Sequence, residues 1–240
     1  MKKLSYLLAA AALILLPSCR FIKVNDQIFS DDEIGINEES SEHITPSDNL
    51  ISKDQVTGEF HSLQCNIPGD VIYTPGSCAL SLNGPDNVLQ HITVKNENGT
   101  LVIKTDGTTF RNFKKFTVTL SSPVLEDLTF NGAVDFSAPQ GITALDFKAI
   151  VNGAGDIDIN GLQADKASLT VNGAGDATLH GLDCESLTVA INGAGDAVLT
   201  GRSGSADLSI SGAGDIDAKQ LDCADISSKV RGIGSIRRPD

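Results

Sequence analysis

Along the second half of the chain apolar and polar residues alternate one by one, and a glycine-rich corner interrupts the alternation about every twenty residues. A period of two belongs to a strand and not to a helix, because successive side chains of a strand point to opposite faces. The corners read FNGAVDF from Phe130, VNGAGDI from Val151, VNGAGDA from Val171, INGAGDA from Ile191, ISGAGDI from Ile210 and VRGIGSI from Val230. Their spacings are 21, 20, 20, 19 and 20 residues. An even period of this size, with no helical pattern between copies, predicts a solenoid in which each repeat is one coil.

The alternation also predicts which side chains fill the coil. Before each corner lie Phe130, Val151, Val171, Ile191, Ile210 and Val230, then Leu128, Ala149, Leu169, Val189 and Leu208, then Phe147, Ala167, Leu187, Ala206 and Ile226. After it come Phe136, Ile157, Ala177, Ala197, Ile216 and Ile236, followed by Ala138, Ile159, Leu179, Leu199 and Ala218. A further corner falls at GLQAD, GLDCE and GRSGS. Twenty residues at about 3.3 Å each give a circuit of roughly 66 Å, which small and medium apolar groups can fill. Stacked in parallel about 4.8 Å apart, the sets become continuous ridges. The fold class is therefore all-β, a right-handed parallel β-helix, the hand following from the strong bias of parallel strand connections.

Residues 55 to 125 are strand-like but out of register with the repeat. NENGT, between two alternating runs, is a hairpin signal. These residues are read as irregular coils and hairpins forming an N-terminal β cap. At the other end the last corner replaces Asn by Arg231 and Asp by Ser235, a departure that terminal coils need because a regular edge recruits another chain.

The chain opens with Met1-Lys2-Lys3 and an apolar run that stops at Leu16-Pro17-Ser18-Cys19. That is the plan of a secretory leader, here 1–18, and its ending resembles a bacterial lipobox, with Cys19 as the lipidated residue. Residues 19–54, rich in acids, Ser and Asn and without a sustained period, read as a flexible acidic tether, leaving 55–240 as the β-helix domain. The formal charge of -13 becomes -15 without Lys2 and Lys3. A chain so acidic repels phosphate backbones, so nucleic acid is not an expected partner.

The repeated corner carries the only candidate chemistry. A phosphate loop would occur once and end in Lys-Ser/Thr, so six even copies argue against one. In-register stacking aligns Asp135, Asp156, Asp176, Asp196 and Asp215 in one row, with Asn131, Asn152, Asn172 and Asn192 beside it. One reading is backbone capping in tight turns, with Gly153, Gly155 and their equivalents supplying positive φ. The other is weak calcium binding. Each corner offers one acid, whereas calcium takes six to eight oxygens, and no other metal or cofactor is expected.

Asp156 with Asp158 and Asp215 with Asp217 fall on one side, as paired catalytic acids would, but repetition argues for structure, since catalysis needs one distinctive site. Trp is absent and the tyrosines are Tyr6 and Tyr73, which leaves few platforms for sugar stacking. Cys184 and Cys223 stand two coils apart, roughly 9.6 Å and too far for a disulfide, so both are expected to be free and buried. Cys65 and Cys78 flank a turn and are the better candidates for a bond.

ENGTLVIKT, VLEDLTFNGAVDF and the repeated NGAGD together resemble the head GIN domain family, described as autotransporter-adhesin-like and common in Bacteroidetes lipoproteins. The resemblance runs from about residue 55 to residue 236. It implies a right-handed β-helix and brings no catalytic residue. The expectation is a non-catalytic lipoprotein held at the cell envelope, at the outer membrane, by its lipid. There it would act as an adhesin or interaction module with a protein or glycan ligand on the cell surface. The alternative is a carbohydrate-binding or polysaccharide-cleaving β-helix protein.

Overall fold

Side chains that alternate in and out along a continuous strand can close a core only if the strand bends back on itself, and the bends fall at the glycine corners. The computed structural model describes residues 23–24, 27–28, 43–111 and 116–239. Met1–Ser41 and Glu42–Asp240 form separate units. In the first, β1 (Lys23–Val24) pairs antiparallel with β2 (Gln27–Ile28).

The second unit begins with β3 (His43–Ile44), β4 (Leu50–Gln55), β5 (Ser62–Cys65), β6 (Gly69–Pro75) and β7 (Ala79–Pro85). A short helix α1 (Asp86–Leu89) precedes β8 (Ile92–Glu97), β9 (Thr100–Thr105), β10 (Thr109–Phe110) and β11 (Thr117–Ser122). The regular coils are β12 (Asp127–Ala138), β13 (Ile142–Thr143), β14 (Asp146–Ala154), β15 (Ile157–Ala174), β16 (Ala177–Ala194), β17 (Ala197–Ala213), β18 (Ile216–Ile233) and β19 (Ile236–Arg237).

These coils pair in parallel with the register that the repeat predicts. Phe130, Val151, Val171, Ile191 and Ile210 stack one above another and are at most 1% exposed. The other inward sets are buried likewise down to the last coil. There Val230 is 40% exposed, and Ile226 and Ile236 are only partly buried, because no further coil among the described residues covers them. Phe130 and Phe136, at 5.5 Å between ring centroids, fill the wide first regular coil where later coils carry Val, Ile and Ala. The 19-residue spacing is absorbed at one corner: Leu179 pairs with Leu199, but Leu182 pairs with Gly201.

The N-terminal part departs from expectation in three ways. First, Ser62–Cys65 and Gly69–Ile72 pair in register with Asp127–Phe130 and Val134–Ser137. The corner CNIPGD is thus another copy of the repeat, hidden because a whole cap is inserted before the next one. Secondly, this coil is not outermost. β9 and β11 lie parallel on its far side, against β5 and β6, so the chain goes outward, turns back and then enters the regular coils. Thirdly, residues 43–54, read above as the end of the tether, belong to the folded unit: β3 pairs with β10, and β4 pairs antiparallel with β7. The hairpin is where NENGT places it, with Asn98 and Gly99 between β8 and β9 at φ of 55° and 85°, a backbone that needs Asn and Gly.

All four described cysteines are free thiols. Cys65, paired for a bond with Cys78 in the sequence reading, instead faces the core, and the Cys78 thiol points to the carbonyl of Phe60. Cys184 and Cys223 both register with Ser203, two coils apart as the repeat requires. Cys184 is buried, whereas Cys223, in the end coil, is half-buried.

Candidate functional site

At each corner from Gly155 onward the strand ladder lapses for two residues, Gly155–Asp156 in the first full copy, whereas β12 runs unbroken through its own corner, and the lapsed backbone still needs partners. Next to the lapse, the N–H of Gly155 donates to the carbonyl of Ala174 in the next coil at 3.1 Å, and that of Ile157 to the carbonyl of Asp176 at 2.9 Å. Between them the Asp176 N–H has no carbonyl to meet. It donates to the Oδ1 of Asp156 at 2.8 Å. The same bond joins Asp156 N–H to Asp135, Asp196 to Asp176, Asp215 to Asp196 and Ser235 to Asp215, at 2.7 to 3.0 Å. Each carboxylate therefore stands in for the missing carbonyl, and the capping runs from coil to coil and not within one turn.

The asparagines form a second chain of bonds. Asn152 Nδ2 donates to Asn131 Oδ1, Asn172 to Asn152 and Asn192 to Asn172, each at 2.9 Å, and Asn131 donates to Asn66 at 2.6 Å. Asn66 was missed in the sequence because its corner is separated from Asn131 by the inserted cap. Asp70, which registers with Asp135, was missed for the same reason. The Asn-x-x-x-Asp spacing, Asn66 to Asp70 and Asn131 to Asp135, is the signal that could have found them.

The glycines act in two ways. Gly173, at φ +146°, would also place a Cβ against the carbonyl oxygen of Gly153 in the coil below. The second glycine does not always need positive φ: Gly155 has it, but Gly175 and Gly195 do not. At Gly175 the requirement is close approach alone, since a Cβ there would meet the carbonyl oxygen of Gly155.

The row of acids lies on the surface and is closed at its C-terminal end. Hydrogen bonds from the Ser235 side chain and backbone, with Arg237 beside it, hold the Asp215 carboxyl below its usual range. Arg237 reaches Asp215 at 3.2 Å and Asp217 at 3.7 Å, so that acid pair faces one way, as the alternation requires, and shares one arginine that offsets half its charge. Asp156 and Asp158 are both exposed. Among the described residues no three His, Cys, Asp or Glu side chains are grouped to hold a metal. A cleft of about 660 Å³ opens at the cap between Phe60, His61, Cys78, Gly99 and Val124. In it His61 Nδ1 lies 3.1 Å from Glu126 and 3.0 Å from the Ser62 hydroxyl. Cys19 lies outside the described residues.

Comparison with known proteins agrees with this architecture. The family model described as "Putative auto-transporter adhesin, head GIN domain" matches residues 59–182 and 151–238. A solved structure of a putative adhesin from Bacteroides fragilis NCTC 9343 is 26% identical, with a TM-score of 0.67 over 81% of this chain and 99% of that one. A putative adhesin from Parabacteroides distasonis ATCC 8503, 16% identical, gives 0.59 over 82% and 99%. A putative lipid binding protein from the same organism, also 16% identical, gives 0.51 over 80% and 99%. The last two likenesses concern the fold alone. No curated protein matches the sequence.

Proposed function

Because the chain belongs to the head GIN domain family, we propose that it is a non-catalytic adhesin-type module of the cell envelope. In this reading Cys19 carries the lipid, the residues after it act as a spacer, and the β-solenoid presents its outer walls to a protein or glycan on a cell surface. The observation that carries the reading is the use made of the repeated motif. Its asparagine amides bond one another and its carboxylates bond the backbone of the next coil, so the most conspicuous polar groups are framework. Recognition then belongs to side chains that vary from coil to coil on the outer walls, as in other solenoids whose extended surfaces bind partners.

The test has two arms. The soluble chain from Arg20 onward is applied to glycan arrays and to intact cells, and the same preparation is incubated with acidic and neutral polysaccharides. Saturable binding without bond cleavage is expected. Cleavage that is lost in Asp156→Asn would replace the proposal with the carbohydrate-processing alternative. For the anchor, metabolic labelling with a fatty-acid analogue is expected to mark the wild-type chain and not Cys19→Ser, which should leave the membrane fraction. Equal labelling of both would remove Cys19 from the account.

A further inference from the structure

Among the described residues β18 is the last full coil, and its outer edge pairs only with β19, and only at Ile216 and Asp217. The wall from Asp225 to Ile233 pairs on its inner side with β17. There Ile226, Ser228 and Val230 continue the inward ridges of Ala206, Leu208 and Ile210. Those three are at most 4% exposed, whereas Val230 is 40% and Ile233 81% exposed. The departures at Arg231 and Ser235 do not blunt this edge as the sequence suggested, because Val230 and Ile233 stay exposed along it, and a long edge bearing apolar groups is a template for another strand.

The residues on this edge specify which strand. Laid antiparallel on itself about Ser228, the run Asp225-Ile226-Ser227-Ser228-Lys229-Val230-Arg231 sets Asp225 opposite Arg231, Ile226 opposite Val230 and Ser227 opposite Lys229. The even-numbered residues face inward and the odd-numbered outward, so the apolar pairs would extend the core while the ion pairs meet at the surface. Neighbouring registers are worse. Centring on Ser227 sets Ile226 against Ser228, and centring on Lys229 sets two lysines against each other. A parallel, in-register copy would oppose Asp225 to Asp225, and like charges directly opposite are destabilising.

We infer that two copies of this chain associate end to end through β18, antiparallel about a two-fold axis at Ser228. Such an interface is isologous, each copy giving the same patch, and it closes at two. At the opposite end β4 is also an edge, with Leu50 and Ile51 exposed, but it is not self-complementary: laid antiparallel on itself about Ser52 it sets Ile51 opposite Lys53 and Leu50 opposite Asp54, and about Lys53 it opposes two lysines.

Sedimentation velocity over a concentration series tests this on residues 20–240, which omit only the leader and Cys19. The wild type is expected to show a reversible dimer. Asp225→Arg and Arg231→Asp each create two like-charge pairs and should each weaken self-association by about tenfold or more. An equimolar mixture of the two variants should recover the wild-type affinity. In the mixed dimer the introduced arginine faces the introduced aspartate at one end of the strand, and the native Arg231 faces the native Asp225 at the other. The double variant should recover it too. Circular dichroism verifies that each exposed substitution leaves the fold intact. A wild type that stays monomeric throughout, single variants that dimerise as tightly as wild type, or a mixture that fails to recover would each overturn the inference.

Discussion

A carboxylate and a carbonyl oxygen are interchangeable as acceptors, and the corners of this solenoid depend on that. Asp176 Oδ1 accepts the Asp196 N–H, a bond that Asn can make through its own Oδ1 and Ala cannot. Asp176→Asn should therefore melt with the wild type, while Asp176→Ala should melt a few degrees lower in a thermal scan. Gly173→Ala is more severe: it places a Cβ on the Gly153 carbonyl and keeps φ at +146°, which should cost about 3 kcal/mol or more by denaturant unfolding. The cap has a residue whose charge state matters. The Thr108 hydroxyl, the His91 ring and the Thr108 amide bond Asp106 and lower its carboxyl from 3.8 to about 2. A folded-state value below the unfolded one adds stability above the ordinary carboxyl range, and that stability is lost as pH falls toward about 2. Thr108→Val should be less stable than wild type near neutral pH, and the gap should close on acidification. A gap that persists at low pH would mean the loss is packing and not charge.

Among the elements, the regular coils, the presence of a β cap and its NENGT hairpin were legible in the sequence, and the order of the cap's strands was not. The register of β14 to β17 follows from a period of two and a corner every twenty residues, and Val151, Val171 and Ile191 stack where that arithmetic puts them. The asparagine and aspartate rows were legible as rows, but their bonds were not, because only the stacked backbone shows which N–H lacks a carbonyl. That order escaped because β5 and β9, adjacent in space, are separated by β6, β7, α1 and β8, a long-range arrangement that no local pattern encodes. α1 is the clearest case. Four residues would not be read as a helix, yet Val88 and Leu89 are 1% exposed and plug the cap. Leu89→Ala should cost about 2 to 5 kcal/mol in denaturant unfolding, and a cost below one would show that α1 does not close the core. The thiols report the same layering. Burial pushes Cys65 up to about 11, so alkylation of the native protein should reach Cys78 and Cys223 first and Cys65 only on unfolding.

For the whole molecule, the consequence is a division of labour between a framework and the walls it presents. Stacked coils are stable as a set, each ridge supported by its neighbours, so the repeated corner serves the fold, and the proposed recognition falls to the side chains that differ between coils. The acidic balance, -13 over the full chain, disfavours phosphate-rich partners and accords with the proposed envelope module. We take the aspartate row to be framework and not a cation site. Thermal unfolding of the wild type and of the triple variant Asp156→Asn, Asp176→Asn, Asp196→Asn, each with calcium and with chelator, decides between the two. Calcium is expected to leave both midpoints unchanged, and the triple variant to stay within a few degrees of wild type, since Asn keeps each bonded Oδ1 acceptor and removes mutual repulsion. A wild type stabilised by calcium, with that stabilisation absent from the triple variant, would make the row a cation site.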